Sequence, residues 1–459
     1  MNPPDNDISA TAPHAAQAGG RHSQFRLLRE RRFGPLFVTQ FCGAFNDNIF
    51  KNALIVLLAF HAAAWTSMRA EVLTNLATAL FILPFFLFSA TAGNLADKYD
   101  KAWLARLTKI LEIVIILIAA LGFFLENLTL LLTALFLLGL QSTFFGPLKY
   151  AILPQHLKAD ELVGGNALVE AGTFISILLG TLIGSLLAGL PSGGTAWISG
   201  VSFIVALTGY LASCRIPPAP APAPELVIRL NLFSETWRCI QFARVNRSVF
   251  LSILGISWFW LYGSIFLAQF PVYTKNVLAG DSGMVALLLA VFSVGIGGGS
   301  LLCEKLSRHQ LEPGLVPFGA LGLTLFGLDL AWASPVAAAA VAPLPLIELI
   351  ARPNTWRLLV DLLLLGACGG IYCVPLYALV QQRSDVACRA RVIAANNILN
   401  SLFMVIGALF AALLLKRGYS FATLFAITAS VNALVALYIF SLVPEFVLRA
   451  IRRLKRSED

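Results

Sequence analysis

A chain of 459 residues that is 58% hydrophobic and 12% charged, with a mean hydropathy of +0.80, is too apolar for a water-soluble globular protein. Its net charge of +9 would suit a nucleic-acid binder, but the basic residues are spread among loops rather than gathered in one patch, which argues against that class. The chain therefore reads as an all-α integral membrane protein, and the unit to count is the run of about 20 apolar residues that crosses the hydrocarbon core.

Residues 1–20 are polar and lack a basic segment followed by an apolar one, so they are not a cleaved signal peptide. Residues 1–32 read as a disordered cytoplasmic tail that closes on a basic collar, Arg26 to Arg32, at the membrane face. Twelve spans follow, near 34–62, 72–95, 105–126, 128–148, 164–190, 194–213, 249–273, 284–302, 314–334, 357–380, 392–415 and 420–443. With the N-terminus inside, 26 of the 33 lysines and arginines fall on inner segments and six on outer loops, which predicts that both termini are cytoplasmic.

Span 1 carries Asn46, Asp47, Asn48, Lys51 and Asn52 inside an otherwise apolar helix. Ionisable groups at that depth cost about 2.5–3.5 kcal/mol each on insertion scales, so they mark a functional cavity or a paired interior position. Asp47 and Lys51 are four apart and share a helix face with Gly43 and Gln40. Glu112 in span 3 is expected to partner the basic loop before it. Span 4 ends in Gly146-Pro147-Leu148-Lys149-Tyr150, where the Gly-Pro pair weakens the helix and leaves Lys149 near the cavity or snorkelling to headgroups. Glu170 lies on the same face of span 5 as Asn166; for Lys149 and Glu170 alike, an inter-helix pair and a substrate contact stay open.

After span 6 comes Pro217-Pro218-Ala219-Pro220-Ala221-Pro222-Ala223-Pro224, the composition of a stiff polyproline spacer. Beyond it Leu226, Leu230, Phe233, Trp237 and Ile240 recur at helical spacing, which predicts an amphipathic helix at the inner interface. The second half echoes the first: Glu304, Lys305 and Arg308 align with Asp97, Lys98 and Lys101, Pro375 to Gln381 with Pro147 to Leu153, and Asn396 and Asn400 with Asn166 and Glu170. The halves are thus parallel repeats, with buried charge concentrated in the first. The expected units are 1–32, a first six-helix half over 33–213, a linker over 214–248, a second half over 249–443 and a basic cytoplasmic tail over 444–459.

The run from Gly93 to Trp103 between spans 2 and 3 resembles the loop motif of the major facilitator superfamily, G-x-L-a-D-[RK]-x-G-[RK]. Gly93, Leu95, Ala96, Asp97, Lys98 and Lys101 match, and Asp100 stands where the family usually has glycine. The resemblance implies the major facilitator fold, twelve transmembrane helices in two six-helix halves, with Gly93, Asp97, Lys98 and Lys101 gating the outward-open state. The runs Phe45 to Ala53, Gly146 to Pro154 and Asn166 to Ala171 resemble, more narrowly, the bacterial lysophospholipid transporter (LplT) family, and above all the transporter half of proteins fused to an acyltransferase and an acyl-ACP synthetase.

That likeness implies alternating-access movement of lysophospholipids inward across the bacterial inner membrane for reacylation, with a cytoplasmic acyltransferase or acyl-ACP synthetase as a possible partner. Lys51 or Lys149 would then meet the phosphate and Asp47 or Glu170 the amine, with Asn46 and Asn48 beside them, while Phe residues and the span 7 aromatics line the tail path. The rival is a proton-coupled carrier of amphipathic drugs or other small molecules. An acyltransferase would want His-x4-Asp, but Asp160 is one residue too near His156. No enzyme activity, cofactor or nucleic-acid partner is expected. Seven cysteines without a Cys-x-x-Cys pair read as reduced apolar side chains, with no metal.

Overall fold

The computed structural model describes residues 23–61, 65–66, 68–229, 231–308, 310–335 and 344–458; of the disordered tail expected over 1–32, residues 1–22 lie outside them, while Gln24–Arg29 forms a short helix that buries Gln24 and Leu27. Among these residues, twelve helices run for 18 to 31 residues: α1 (Gly34–His61), α2 (Ala70–Lys98), α3 (Lys101–Phe124), α4 (Leu128–His156), α5 (Leu162–Ala188), α6 (Gly194–Ser213), α8 (Arg247–Tyr273), α9 (Ser282–Ser307), α10 (Val316–Ala333), α12 (Pro353–Arg383), α13 (Arg389–Lys416) and α14 (Phe421–Leu442). Three shorter helices, α7 (Leu232–Val245), α11 (Leu346–Ile350) and α15 (Glu445–Glu458), lie between or beyond them. Eleven of the long helices are long and apolar enough to cross a membrane. The twelfth, α1, is not among them because its amides and charges dilute the apolar run, yet its 28 residues reach about 42 Å.

Short polar side chains start the helices where backbone donors would otherwise be orphaned. Asn127 accepts from Leu130 N, Asn246 from Ser248 N and Val249 N, Asp281 from Met284 N and Ser420 from Thr423 N. Small residues then let the helices approach closely. A Cβ at Gly184 of α5 would sit 2.3 Å from the Ile49 carbonyl of α1, and one at Gly299 of α9 would sit 2.0 Å from that of Ala367 in α12.

Helix neighbours repeat between the halves: α1 packs on α5, α2 on α4 and α3 on α6, as α8 packs on α13, α9 on α12 and α10 on α14. The halves meet through α2 with α13 and α5 with α9, partners that a two-fold operation exchanges. The hydrogen bonds that join the halves among the described residues lie at the end bearing the basic loops. Asp97 accepts from Ala390 N at 3.1 Å, Arg391 N at 3.2 Å and Arg391 Nε at 3.0 Å. Its repeat-related Glu304 places an oxygen 3.1 Å from where a Cβ of Gly164 would stand, at the start of α5. Asn166 and Gln381 exchange amide bonds at 2.8 and 2.9 Å, and Gln24 donates to the Leu301 carbonyl. The basic end is closed.

The linker, expected as a stiff polyproline spacer, is bonded to the first half. Proline removes donors, but its alternating alanines supply them: Ala219 N donates to Asp100 Oδ2 at 2.8 Å and Ala223 N to the Asp97 carbonyl at 3.0 Å, while Lys101 N donates back to the Ala219 carbonyl at 2.9 Å. The strap thus lies over the basic end of the first half. Asp100 also accepts from Trp103 N at 2.8 Å with φ −59°, so this turn needs no glycine and uses the carboxylate as a cap. The helix after the strap starts at Leu232, so Leu226 lies outside it, and Leu230 lies outside the described residues. In α4 the helix does not stop at Gly146-Pro147 but continues through Pro154 to His156. Arg32, in the collar, bonds both oxygens of Glu161, and that ion pair holds the Glu161 carboxyl below the usual range.

Candidate functional site

Between the halves lies a cavity of about 350 Å³. Its first-half wall comes from one face of α1 (Gln40, Gly43, Ala44, Asp47, Asn48, Lys51), on which helical spacing had aligned Gln40, Gly43, Asp47 and Lys51, and from α4 (Gln141, Ser142, Phe145, Gly146, Lys149, Tyr150). Phe81, Ile82 and Phe85 of α2 and Trp260, Leu267 and Met404 of the second half make the apolar side. Every Asp, Lys or Arg on the wall belongs to the first half, while the second half contributes the amides Asn397 and Asn400.

Asp47 and Lys51 share a face but do not pair. Lys51 donates to Asn48 Oδ1 at 3.0 Å and lies 5.1 Å from the Phe81 ring centroid. Asp47 accepts from the Ser142 hydroxyl on one oxygen, while the other, Oδ1, is buried without a hydrogen-bond partner among the described residues. Lys149 makes no hydrogen bond or ion pair there either; its ammonium sits 4.7 Å from the Tyr150 ring centroid. The wall thus presents two ammonium groups free of carboxylate partners and one carboxylate with a buried oxygen that lacks a hydrogen-bond partner among the described residues.

Aromatic rings close the cavity toward the basic end. Tyr150 of α4 stacks on Tyr377 of α12, centroids 4.5 Å apart and planes 7° from parallel. Tyr150 donates its hydroxyl to Glu170 of α5, and Tyr377 accepts from Trp260 Nε1 at 3.1 Å. The stacked rings come from repeat-related segments, one from each half.

The structure therefore brings Asp47, Asn48, Lys51 and Lys149 onto one cavity wall. Asn46 turns the other way and donates to Glu112, and Glu170 lies behind Tyr150 rather than on the wall. Gly93 and Asp97 lie on the seam with α13; a Cβ at Gly93 would meet Ala394 Cβ at 2.7 Å. Lys101 reaches the Pro220 carbonyl at 3.4 Å, and Lys98 lies over the Tyr99 ring at 5.7 Å. Glu112 pairs not with the basic loop but with Lys109, 2.6 Å away on its own helix, neither side chain being exposed. Sequence reading missed Lys109, Gln141, Ser142 and the tyrosine stack; the i, i+3 spacing of Lys109 and Glu112 was the available signal for the first.

Comparison with known proteins agrees with this architecture. A family model described as the Major Facilitator Superfamily matches residues 36–347. A protein named lysophospholipid transporter LplT from Pectobacterium carotovorum is 26% identical over 401 residues, covering 86% of this chain and 89% of its own. One of the same name from Salmonella newport is 28% identical over 375 residues, covering 79% and 83%. Among solved structures, the human organic anion transporter MFSD10 aligns with a TM-score of 0.70 at 14% identity, covering 90% of this chain and 98% of its own. The Escherichia coli fucose:proton symporter FucP aligns at 0.66, also at 14% identity, covering 89% and 98%.

Proposed function

The chain belongs to the major facilitator superfamily, and we propose that it carries lysophospholipids across the bacterial inner membrane by alternating access. The observation that carries this reading is the cavity wall, where the ammonium groups of Lys51 and Lys149 and the carboxylate of Asp47 stand beside an apolar side built from Phe81, Phe85 and Trp260. A lysolipid offers a phosphate, often an amine, and one acyl tail. Charges of both signs suit its head, and the apolar side suits the start of its tail. The names of the LplT relatives support the same cargo.

With the basic end cytoplasmic, the closed end faces inward and the head reaches the cavity from the outer side. Release then requires the Tyr150–Tyr377 stack and the seam at Asp97 and Arg391 to part as the halves rock. A cytoplasmic acyltransferase or acyl-ACP synthetase would consume the cargo, since a one-chain lipid becomes a bilayer lipid by gaining an acyl group. The test is flux in proteoliposomes. The purified chain should move labelled lysophosphatidylethanolamine well above protein-free vesicles. Movement of amphipathic dyes under a proton gradient, with no lysolipid flux, would replace this reading with a drug carrier.

A further inference from the structure

Behind the cavity, the carboxylate of Glu112 on α3 gathers three donors. Asn46 of α1 donates to Oε1 at 2.9 Å, Gln141 of α4 donates to Oε2 at 3.2 Å, and Lys109 donates to Oε2 at 2.6 Å. Asp47, next after Asn46, and Ser142, next after Gln141, are on the cavity wall, as is Gln141 itself, and the Ser142 hydroxyl donates to Asp47 Oδ2. Successive helix residues point about 100° apart, so anchoring the amide fixes the direction of its neighbour. Asp47 Oδ1 is the oxygen left without a partner among the described residues. Neither Glu112 nor Lys109 is exposed, and each leaves the other's charge uncompensated if it is removed.

We propose that Glu112, neutralised by Lys109, is a positioning residue for headgroup recognition: it sets the register of α1 against α4 so that the Asp47 carboxylate on the cavity wall faces the ammonium of a zwitterionic lysolipid. The inference rests on the lysolipid reading and adds to it which feature of the head is selected and by what. A buried ion pair that merely held the helices together would matter equally for every cargo. One that aims Asp47 matters for cargo carrying an amine and little for cargo without one.

The experiment compares lysophosphatidylethanolamine with lysophosphatidylglycerol, which has the phosphate and tail but no ammonium, in proteoliposomes holding the full chain. In Glu112→Gln the new amide nitrogen faces donors, and one anchor is lost. The apparent KM for the ethanolamine lipid should rise about tenfold, the scale of one charge-assisted hydrogen bond, while that for the glycerol lipid changes about twofold or less. Asn46→Ala keeps the ion pair, so it decides the matter if Glu112→Gln does not fold, and it should shift the two KM values in the same unequal way. Equal changes for both lipids, a loss in kcat alone, or no change would overturn the inference while leaving the transporter reading intact. No flux of either lipid by the wild type would overturn the reading and the inference with it.

Discussion

At the scale of single residues, Lys51 and Lys149 differ in how free they are. Lys51 is already bonded to Asn48, whereas Lys149 lies over the Tyr150 ring with no hydrogen bond among the described residues, so the second is the better phosphate contact. Lys149→Gln keeps the length of the side chain nearly unchanged and removes the charge. Its lysolipid flux should fall about tenfold at sub-saturating substrate, with the loss mainly in KM, measured at matched reconstitution. An unchanged KM would take Lys149 off the substrate path. This contrast was hidden in the sequence, where Lys51 and Lys149 stood as equal candidates for the phosphate and a pairing of Asp47 with Lys51 was an open alternative. The two do share a helix face, but Ser142 from α4 and Asn48 claimed one of them each.

At the scale of elements, the seam at the basic end is bonded unequally. Asn166 and Gln381 satisfy each other, while at the repeat-related position both amide atoms of Asn396 are buried without a partner among the described residues. The Asn166–Gln381 pair is thus one of the few polar clasps on the closed state. Asn166→Ala leaves the Gln381 amide buried and unpaired, at a cost of about 1–3 kcal/mol that falls on the closed end alone. Distances between spin labels on the basic-end loops of the two halves should gain a longer population in that variant; an unaltered distribution would show that the clasp is not limiting.

The spans themselves were legible because each is a run of apolar residues long enough to cross the hydrocarbon core, and α1 was legible despite its charges because the apolar run resumes at Leu54. The strap and the Glu112 cluster were not. Proline-rich composition says nothing of the bonds that its alanines make, and Asn46, Glu112 and Gln141 lie on three helices whose register only packing decides.

At the scale of the whole molecule, two related six-helix halves enclose one cavity, and the charge lies on one of them. The repeat pattern in the loops announced the halves, and the exchange of helix partners, α2 with α13 and α5 with α9, gives the axis about which they can rock. The tyrosine stack sits between repeat-related segments, so a relative rotation of the halves separates the rings without disturbing either half's own packing. On the lysolipid reading, the charged wall of the first half would hold the head, while amides of the second half and apolar residues of both halves would border the tail.

The central claim is that this cavity is the path of the lysolipid head. It is tested most directly by photo-crosslinking during transport, using a lysophosphatidylethanolamine that carries a small photoreactive group next to its phosphate. The label should appear on peptides containing residues 44–51 and 141–150, and Lys149→Gln should deplete it. Labelling confined to the lipid-facing residues of α6, α10 or α14, with transport intact, would contradict the account.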